Sequence, residues 1–251
     1  MAAATISEVI EQLNEIVNRS LRESDRVGYF AALYKKVTIA VSNKIKEGYF
    51  DDNARMEKMD VVFANRYLEA YRDHTNGKPC SVSWQLAFDT TRSWKPMVIH
   101  HLLAGMNAHI SLDLGIAAAT VSPGGSVNDI HNDFNKINTV LNDLVEEVKT
   151  SLYDMWPLSK IIARLNAGKL ENAIAGFSMT IARDAAWQVA IDYAPLIDPA
   201  AQDSYISQRD KDVTAFGKTI LHPGFWLSAL VSIFRIFEFG SISGKIKRLD
   251  R

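Results

Sequence analysis

Apolar residues recur at steps of three and four along most of the chain, and no segment alternates with a period of two. This spacing is typical of α-helices with one buried face and argues against a β-sheet. Glycine and proline occur almost only where the apolar runs end, which is where helices begin and stop. The sequence therefore predicts an all-α fold, a bundle of eight or nine helices in one domain over residues 1–251.

The stretch 96–121 differs from the other predicted helices because its apolar side chains lie all the way round the helix. A helix with this pattern is buried on every side, so we expect the bundle to surround it. Pro96 suits the first turn, and the Pro-Gly-Gly run from Pro123 ends the helix. Its polar members are His100, His101, Asn107, His109 and Asp113. Ionisable groups in a buried helix either satisfy one another or carry chemistry.

His109 and Asp113 are four residues apart, so their side chains are neighbours on the helix surface. At 100° per residue, His101 lies on the same side two turns earlier. Imidazole and carboxylate groups bind zinc or iron, and a metal with an open position lowers the pKa of its bound water towards about 7. One hypothesis is therefore a metal-dependent hydrolase for a small or lipid-like substrate, with His101, His109 and Asp113 as ligands and with Asp60 and Asp133 supplied by other helices.

A second hypothesis needs no metal. His109 acts as the acid or base and Asp113 fixes its tautomer, beside an apolar pocket for a hydrophobic metabolite. Isomerisation, elimination or cyclisation would suit such a site. Arg183 is the third predicted catalytic residue, although it could equally pair with an aspartate or stack on an aromatic ring. The predicted substrate-binding residues are Tyr67, Asn107 and Trp187.

The same residues also suit a non-catalytic binding or structural module. An aspartate four residues after a histidine can simply satisfy a buried imidazole N–H and lock two helices together. A closed pocket beside His109 without a cation would favour the metal-free enzyme, whereas a tightly packed helix without a cavity would defeat both enzyme hypotheses.

The last predicted helix, from Pro223 to about Phe239, is apolar on nearly all sides, and only Arg235 and Glu238 are charged. We expect it to pack against the bundle with both charges at its solvent edge. The basic segment 241–251 is predicted to be a mobile tail. Weak contact of this helix and tail with an anionic membrane is the alternative.

The formal net charge of −1 gives no reason to expect nucleic-acid binding. The single cysteine, Cys80, excludes an internal disulfide and any site built from several thiolates. The first residues lack the basic and apolar regions of a signal peptide, and we expect a cytoplasmic protein.

Four segments resemble an uncharacterised helical family, the domain of unknown function 5995. They are residues 50–52 (FDD), 59–67 (MDVVFANRY), 100–119 (HHLLAGMNAHISLDLGIAAA) and 182–187 (ARDAAW). The resemblance extends over about residues 25–240 and implies an all-helical single domain, but no established activity. A weaker likeness, through the His-x-x-x-Asp pair alone, is to zinc-dependent phospholipase C enzymes, whose N-terminal Trp ligand and most His ligands this chain lacks.

Overall fold

A computed structural model of the protein describes residues 1–122, 126–155, 179–222, 235 and 238–251. These residues form ten α-helices and no strand, which confirms the predicted all-α fold. The helices are α1 Ile6–Glu23, α2 Val27–Lys46, α3 Asn53–Thr75, α4 Val82–Thr91, α5 Val98–Ala108, α6 Gly115–Thr120, α7 His131–Met155, α8 Met179–Tyr193, α9 Pro199–Leu221 and α10 Ile242–Leu249.

Polar side chains cap the N-termini of several of these helices. The side chains of Thr5, Asp52, Ser81 and Asp198 each accept a backbone N–H from the first turn of α1, α3, α4 and α9, respectively. Such caps satisfy donors that have no partner inside the helix.

The predicted central helix is present and buried, but it has three parts. A six-residue π-helical segment, His109–Leu114, joins α5 to α6, so the chain is helical from Val98 to Thr120. The helix begins at Val98, two residues after Pro96, and its first N–H group donates to Glu238 Oε1 at 2.8 Å.

Other helices cover this central rod along its length. Helices α2, α4 and α9 pack against α5, and α3 and α8 pack against the π segment and α6. At Gly115 the backbones come closest, since a Cβ there would overlap the Ala186 carbonyl oxygen and lie 2.6 Å from Val189 Cβ. At Gly105 a side chain rather than a backbone lies close, since the Phe30 ring is 2.5 Å from where a Cβ would stand.

The helical stretch Val98–Thr120 is long and apolar enough to cross a membrane by length and composition alone. However, 94% of its most apolar window is buried inside the protein. The surrounding helices therefore account for its apolar surface.

The C-terminal residues correct two predictions. Residues 242–249, assigned to a mobile basic tail, form helix α10, which packs against α1, α2 and α7. Lys245, Ile246 and Leu249 are buried. Lys245 Nζ lies 2.8 Å from Glu238 Oε2, so this lysine is not available to an anionic surface.

Glu238 is buried rather than at the solvent edge, because it binds two cations and a helix terminus at once. Besides Lys245, its Oε2 atom lies 3.1 Å from Arg235 Nη1, while Oε1 accepts the N–H of Val98. Most of the predicted apolar helix that leads up to Glu238, residues 223–234 and 236–237, lies outside the described residues.

Candidate functional site

His109 and Asp113, the pair predicted from sequence, both lie in the π segment. His109 Nδ1 is 3.4 Å from Asp113 Oδ2, a long hydrogen bond. The wider turn of a π-helix leaves backbone groups to be satisfied from outside, and such segments are frequent at functional sites. Here the Ser111 carbonyl accepts a hydrogen bond from Arg209 Nε of α9 at 3.0 Å.

Asp113 is held by three donors. Arg66 Nε of α3 lies 2.6 Å from Oδ1, and Trp84 Nε1 of α4 donates to Oδ2 at 2.8 Å, beside His109. Burial alone raises the pKa of Asp113, but the Arg66 charge and the hydrogen bonds from His109 and Trp84 outweigh it, so the pKa lies below its ordinary value. Asp113 is therefore a buried carboxylate at neutral pH.

The imidazole of His109 sits inside an aromatic enclosure. The Phe63 ring stacks on it at 3.5 Å between centroids and 6° between planes, and the Tyr34 ring meets it edge-on at 4.4 Å. Burial lowers the pKa of His109, although Asp113 opposes the shift. The ring is therefore neutral at pH 7, with the proton on Nδ1 facing the carboxylate and a free lone pair on Nε2.

The buried polar atoms in this region that have no hydrogen-bond partner include His109 Nε2, Tyr34 Oη and Asp60 Oδ2. Burial raises the pKa of Asp60 to about 7, with help from the charge of Glu57. Burial, together with the nearby charge of Asp60, also raises the pKa of Tyr34, and a weak interaction with Thr38 opposes this. Unsatisfied buried groups are rare in native proteins and call for a physical explanation.

The side of the enclosure formed by α3 is only partly buried. Phe63 and Arg66, which cover His109 and Asp113, are both half-buried, whereas His109 and Asp113 themselves are only 2% and 1% exposed. Phe63 and Arg66 are therefore the least buried of the side chains that separate this pair from solvent on the α3 side.

His101 lies apart from this group. Its ring meets Tyr29 at 5.6 Å and borders a cavity of about 20 Å³ that Tyr67 and Phe30 also line. Tyr67 therefore stands between the two regions, with its ring centroid 6.2 Å from that of His109. The cavity has room for about one water molecule, not for a metabolite.

The predicted metal set is not assembled, which corrects that hypothesis as it was drawn. Asp133 accepts the N–H groups of Asp51 and Asp52 at 2.7 and 2.8 Å, at the start of α3. The Arg66 guanidinium already neutralises Asp113. Within the described ranges, no three His, Cys, Asp or Glu side chains are grouped so that they could hold a metal ion.

Arg183 and Trp187 are on α8 and face α7 instead of His109. Arg183 packs over the Phe134 ring at 4.4 Å and donates to the Phe134 carbonyl oxygen, while Trp187 stacks on His131 at 4.3 Å. Burial lowers the pKa of Arg183 to about 10. Of the alternatives for Arg183, stacking on an aromatic ring is therefore the one observed, and the ring is that of Phe134.

Asn107, the remaining predicted substrate-binding residue, fastens α5 to α9. Its Nδ2 atom donates to the Val213 carbonyl oxygen at 2.8 Å. Two residues of the site were missed, Arg66 and Trp84. A buried Trp N–H needs an acceptor, and this rule was the available signal for Trp84.

Comparison with known proteins gives one match. No curated protein and no solved structure matches the chain. The model of one family, described as a family of unknown function (DUF5995), matches residues 6–223. This match covers most of the chain and confirms the resemblance seen in its sequence. The chain therefore belongs to the family of unknown function DUF5995.

Proposed function

We propose that the protein is an enzyme that moves a proton on a small, uncharged and largely apolar substrate, with His109 Nε2 as the base. The observation that carries this proposal is the orientation of the imidazole. Asp113 holds its Nδ1 side, while Nε2 is buried with no hydrogen-bond partner. A neutral imidazole whose tautomer is fixed by a carboxylate is a common general base in enzymes.

Asp60 is the matching acid in this proposal. Its carboxyl group is buried and its charge acts on Tyr34, whose ring touches His109. Its pKa of about 7 keeps much of the group protonated near neutrality. Isomerisation of a ketone fits this pair: His109 takes the proton from the carbon beside the carbonyl, and Asp60 gives its proton to the carbonyl oxygen. Return of both protons gives the isomer or the starting ketone.

The enclosure also indicates the substrate class. Its walls are the rings of Phe63, Tyr34, Tyr67 and Phe30, which favour an apolar body without charge. Zinc or iron does not fit here, because the Arg66 guanidinium 2.6 Å from Asp113 Oδ1 already balances the carboxylate that a metal would need.

The packing around His109 favours a second candidate, a purely structural role, because the cavity found nearby is lined by Tyr67 and His101 but not by His109. An enzyme would need the half-buried Phe63 side chain to move aside before a substrate could reach the imidazole. Asp113 is satisfied by Arg66, Trp84 and His109, and the nearby cavity holds about one water molecule. In that case the His109–Asp113 pair would only join α3, α4 and the π segment.

The replacement His109→Phe separates the two candidates without knowledge of the substrate. Phenylalanine keeps an aromatic ring between Phe63 and Tyr34, and Asp113 keeps its other two donors. Groups retained for catalysis are rarely optimal for stability, so we expect the free energy of unfolding to stay level or to rise. A loss of about 1–3 kcal/mol in urea unfolding would instead establish the structural role.

Activity can be tested by proton exchange. Wild-type protein is incubated in D₂O with a panel of small uncharged ketones, and loss of the proton beside the carbonyl is followed by NMR. We expect exchange above background for at least one ketone, and a loss of about 100-fold or more in His109→Phe. His131→Phe, at an exposed histidine on α7, is the matched control. Exchange that survives in His109→Phe would remove His109 as the base.

A further inference from the structure

The cavity beside His101 has the properties of a binding site of its own. It lies between α2, α3, α4 and α5, and its walls are mainly apolar. Its volume of about 20 Å³ exceeds the roughly 10–15 Å³ that one water molecule needs. It is far smaller than the several hundred Å³ of a metabolite pocket.

Two buried side chains at this cavity lack hydrogen-bond partners. They are Tyr67, whose hydroxyl is fully buried, and His101, neither of whose ring nitrogens has a partner. The Pro96 carbonyl lies near enough to His101 to raise its pKa slightly but makes no hydrogen bond with it. Burial dominates and lowers the pKa of His101 to about 3, so the ring is neutral and offers one donor and one acceptor.

Two further polar groups complete the lining. Thr91 Oγ1 donates to the Phe88 carbonyl oxygen at 2.7 Å and keeps its own lone pairs. Arg26 Nη1 donates to the Thr91 carbonyl oxygen at 3.1 Å and keeps other N–H groups. The Arg26 charge disfavours a cation in the cavity. A neutral molecule that both donates and accepts would have two to four partners here, which is the usual number for a buried water.

We propose that this cavity binds one water molecule, hydrogen-bonded between the Tyr67 hydroxyl and a ring nitrogen of His101. The water joins α3 to α5 where the two side chains do not bond directly, and it satisfies two groups that would otherwise be buried without partners. This inference does not depend on the proposed proton-transfer activity.

NMR of the wild-type protein tests the proposal directly. A long-lived buried water gives cross-relaxation peaks between the water signal and nearby protons. We expect such peaks at the His101 ring protons and at the Gly105 amide, and none at the His109 ring protons. The absence of water peaks at His101 and Gly105 would overturn the proposal.

A pair of matched substitutions gives a second readout. Tyr34 and Tyr67 are both buried, and neither hydroxyl has a partner in the protein, but only Tyr67 lines the cavity. If water binds Tyr67, Tyr67→Phe removes a hydrogen bond and lowers the melting temperature by about 2–4 °C. Tyr34→Phe removes an unbonded hydroxyl and leaves the melting temperature level or higher. An equal rise in both variants would show that Tyr67 binds no water.

Discussion

Asp60 lies one turn before Phe63 on α3, where its carboxyl group is buried with one oxygen unpartnered. Its pKa is about 7 in the folded protein, against about 3.9 in an unfolded chain. Between these values the folded state holds a proton that the unfolded state has lost. The contribution of Asp60 to stability is therefore greatest below pH 4 and decreases as the pH rises to 7.

We predict that Asp60→Asn removes this pH dependence. The pKa of Asp60 differs by about three units between the folded and unfolded states, and each unit corresponds to roughly 1.4 kcal/mol. We therefore expect the free energy of unfolding of the variant to rise by about 3–4 kcal/mol relative to wild type between pH 4 and pH 8. Urea unfolding of both proteins across this range measures the difference. Asp203→Asn, at an exposed position on α9, should show the same pH dependence of the unfolding free energy as the wild type. Parallel curves for Asp60→Asn would mean that Asp60 is ionised in the folded state throughout.

At the scale of residues, the sequence predicted pairs within a helix better than contacts between helices. The four-residue spacing placed His109 beside Asp113, and the apolar stripe of α3 indicated that Asp60 is buried. Arg66 was not foreseen as the partner of Asp113, because 47 residues separate them and only the packing of α3 on the π segment brings them together.

At the scale of elements, the apolar pattern predicted a buried helix over 96–121 but not its π segment. A π turn and an α turn differ in the spacing of their backbone hydrogen bonds. The same residue types suit both turns, so the apolar pattern does not distinguish them. The close contact of Gly115 with α8 was also missed, because a glycine inside an apolar helix does not reveal which neighbouring helix approaches it.

The Gly115 contact allows a test of how tightly α6 and α8 are held together. We predict that Gly115→Ala destabilises the protein by about 2–3 kcal/mol, because the new methyl group would overlap the backbone oxygen of Ala186. Guanidinium unfolding measures the change.

Gly217→Ala on α9 is the matched control. Its methyl group would come no closer than 3.0 Å to the amide end of Asn107, which can adjust. Better helix propensity would then keep its stability within about 1 kcal/mol of wild type. Equal effects in the two variants would show that the α6–α8 contact can relax.

At the scale of the whole molecule, helix α10 fastens the C-terminus to the first half of the chain. Ile246 is fully buried, and one of its methyl groups would lie 2.7 Å from a Cβ placed at Gly28 on α2. Sequence periodicity did not identify this helix, because its eight residues span too few turns to show a stripe and because Lys245 suggested exposure.

We predict that Ile246→Ala lowers stability by about 2–5 kcal/mol, as expected for a fully buried isoleucine. Thermal unfolding would shift by about 2–4 °C per kcal/mol in a protein of this size. Ile242→Ala, at a half-buried position on the same helix, should cost clearly less. A loss of less than 0.5 kcal/mol in Ile246→Ala would indicate that α10 contributes little to the folded state.

The hydrogen bond from Val98 to Glu238 spans 140 residues of the chain. During synthesis the N-terminal part of a protein leaves the ribosome first, so the central helix emerges long before its cap exists. This end of the central helix can then be completed only after residue 238 has been made. Nascent chains stalled before Glu238 would carry a central helix whose first N–H group lacks this acceptor, and we expect the first turn of that helix to fray in them.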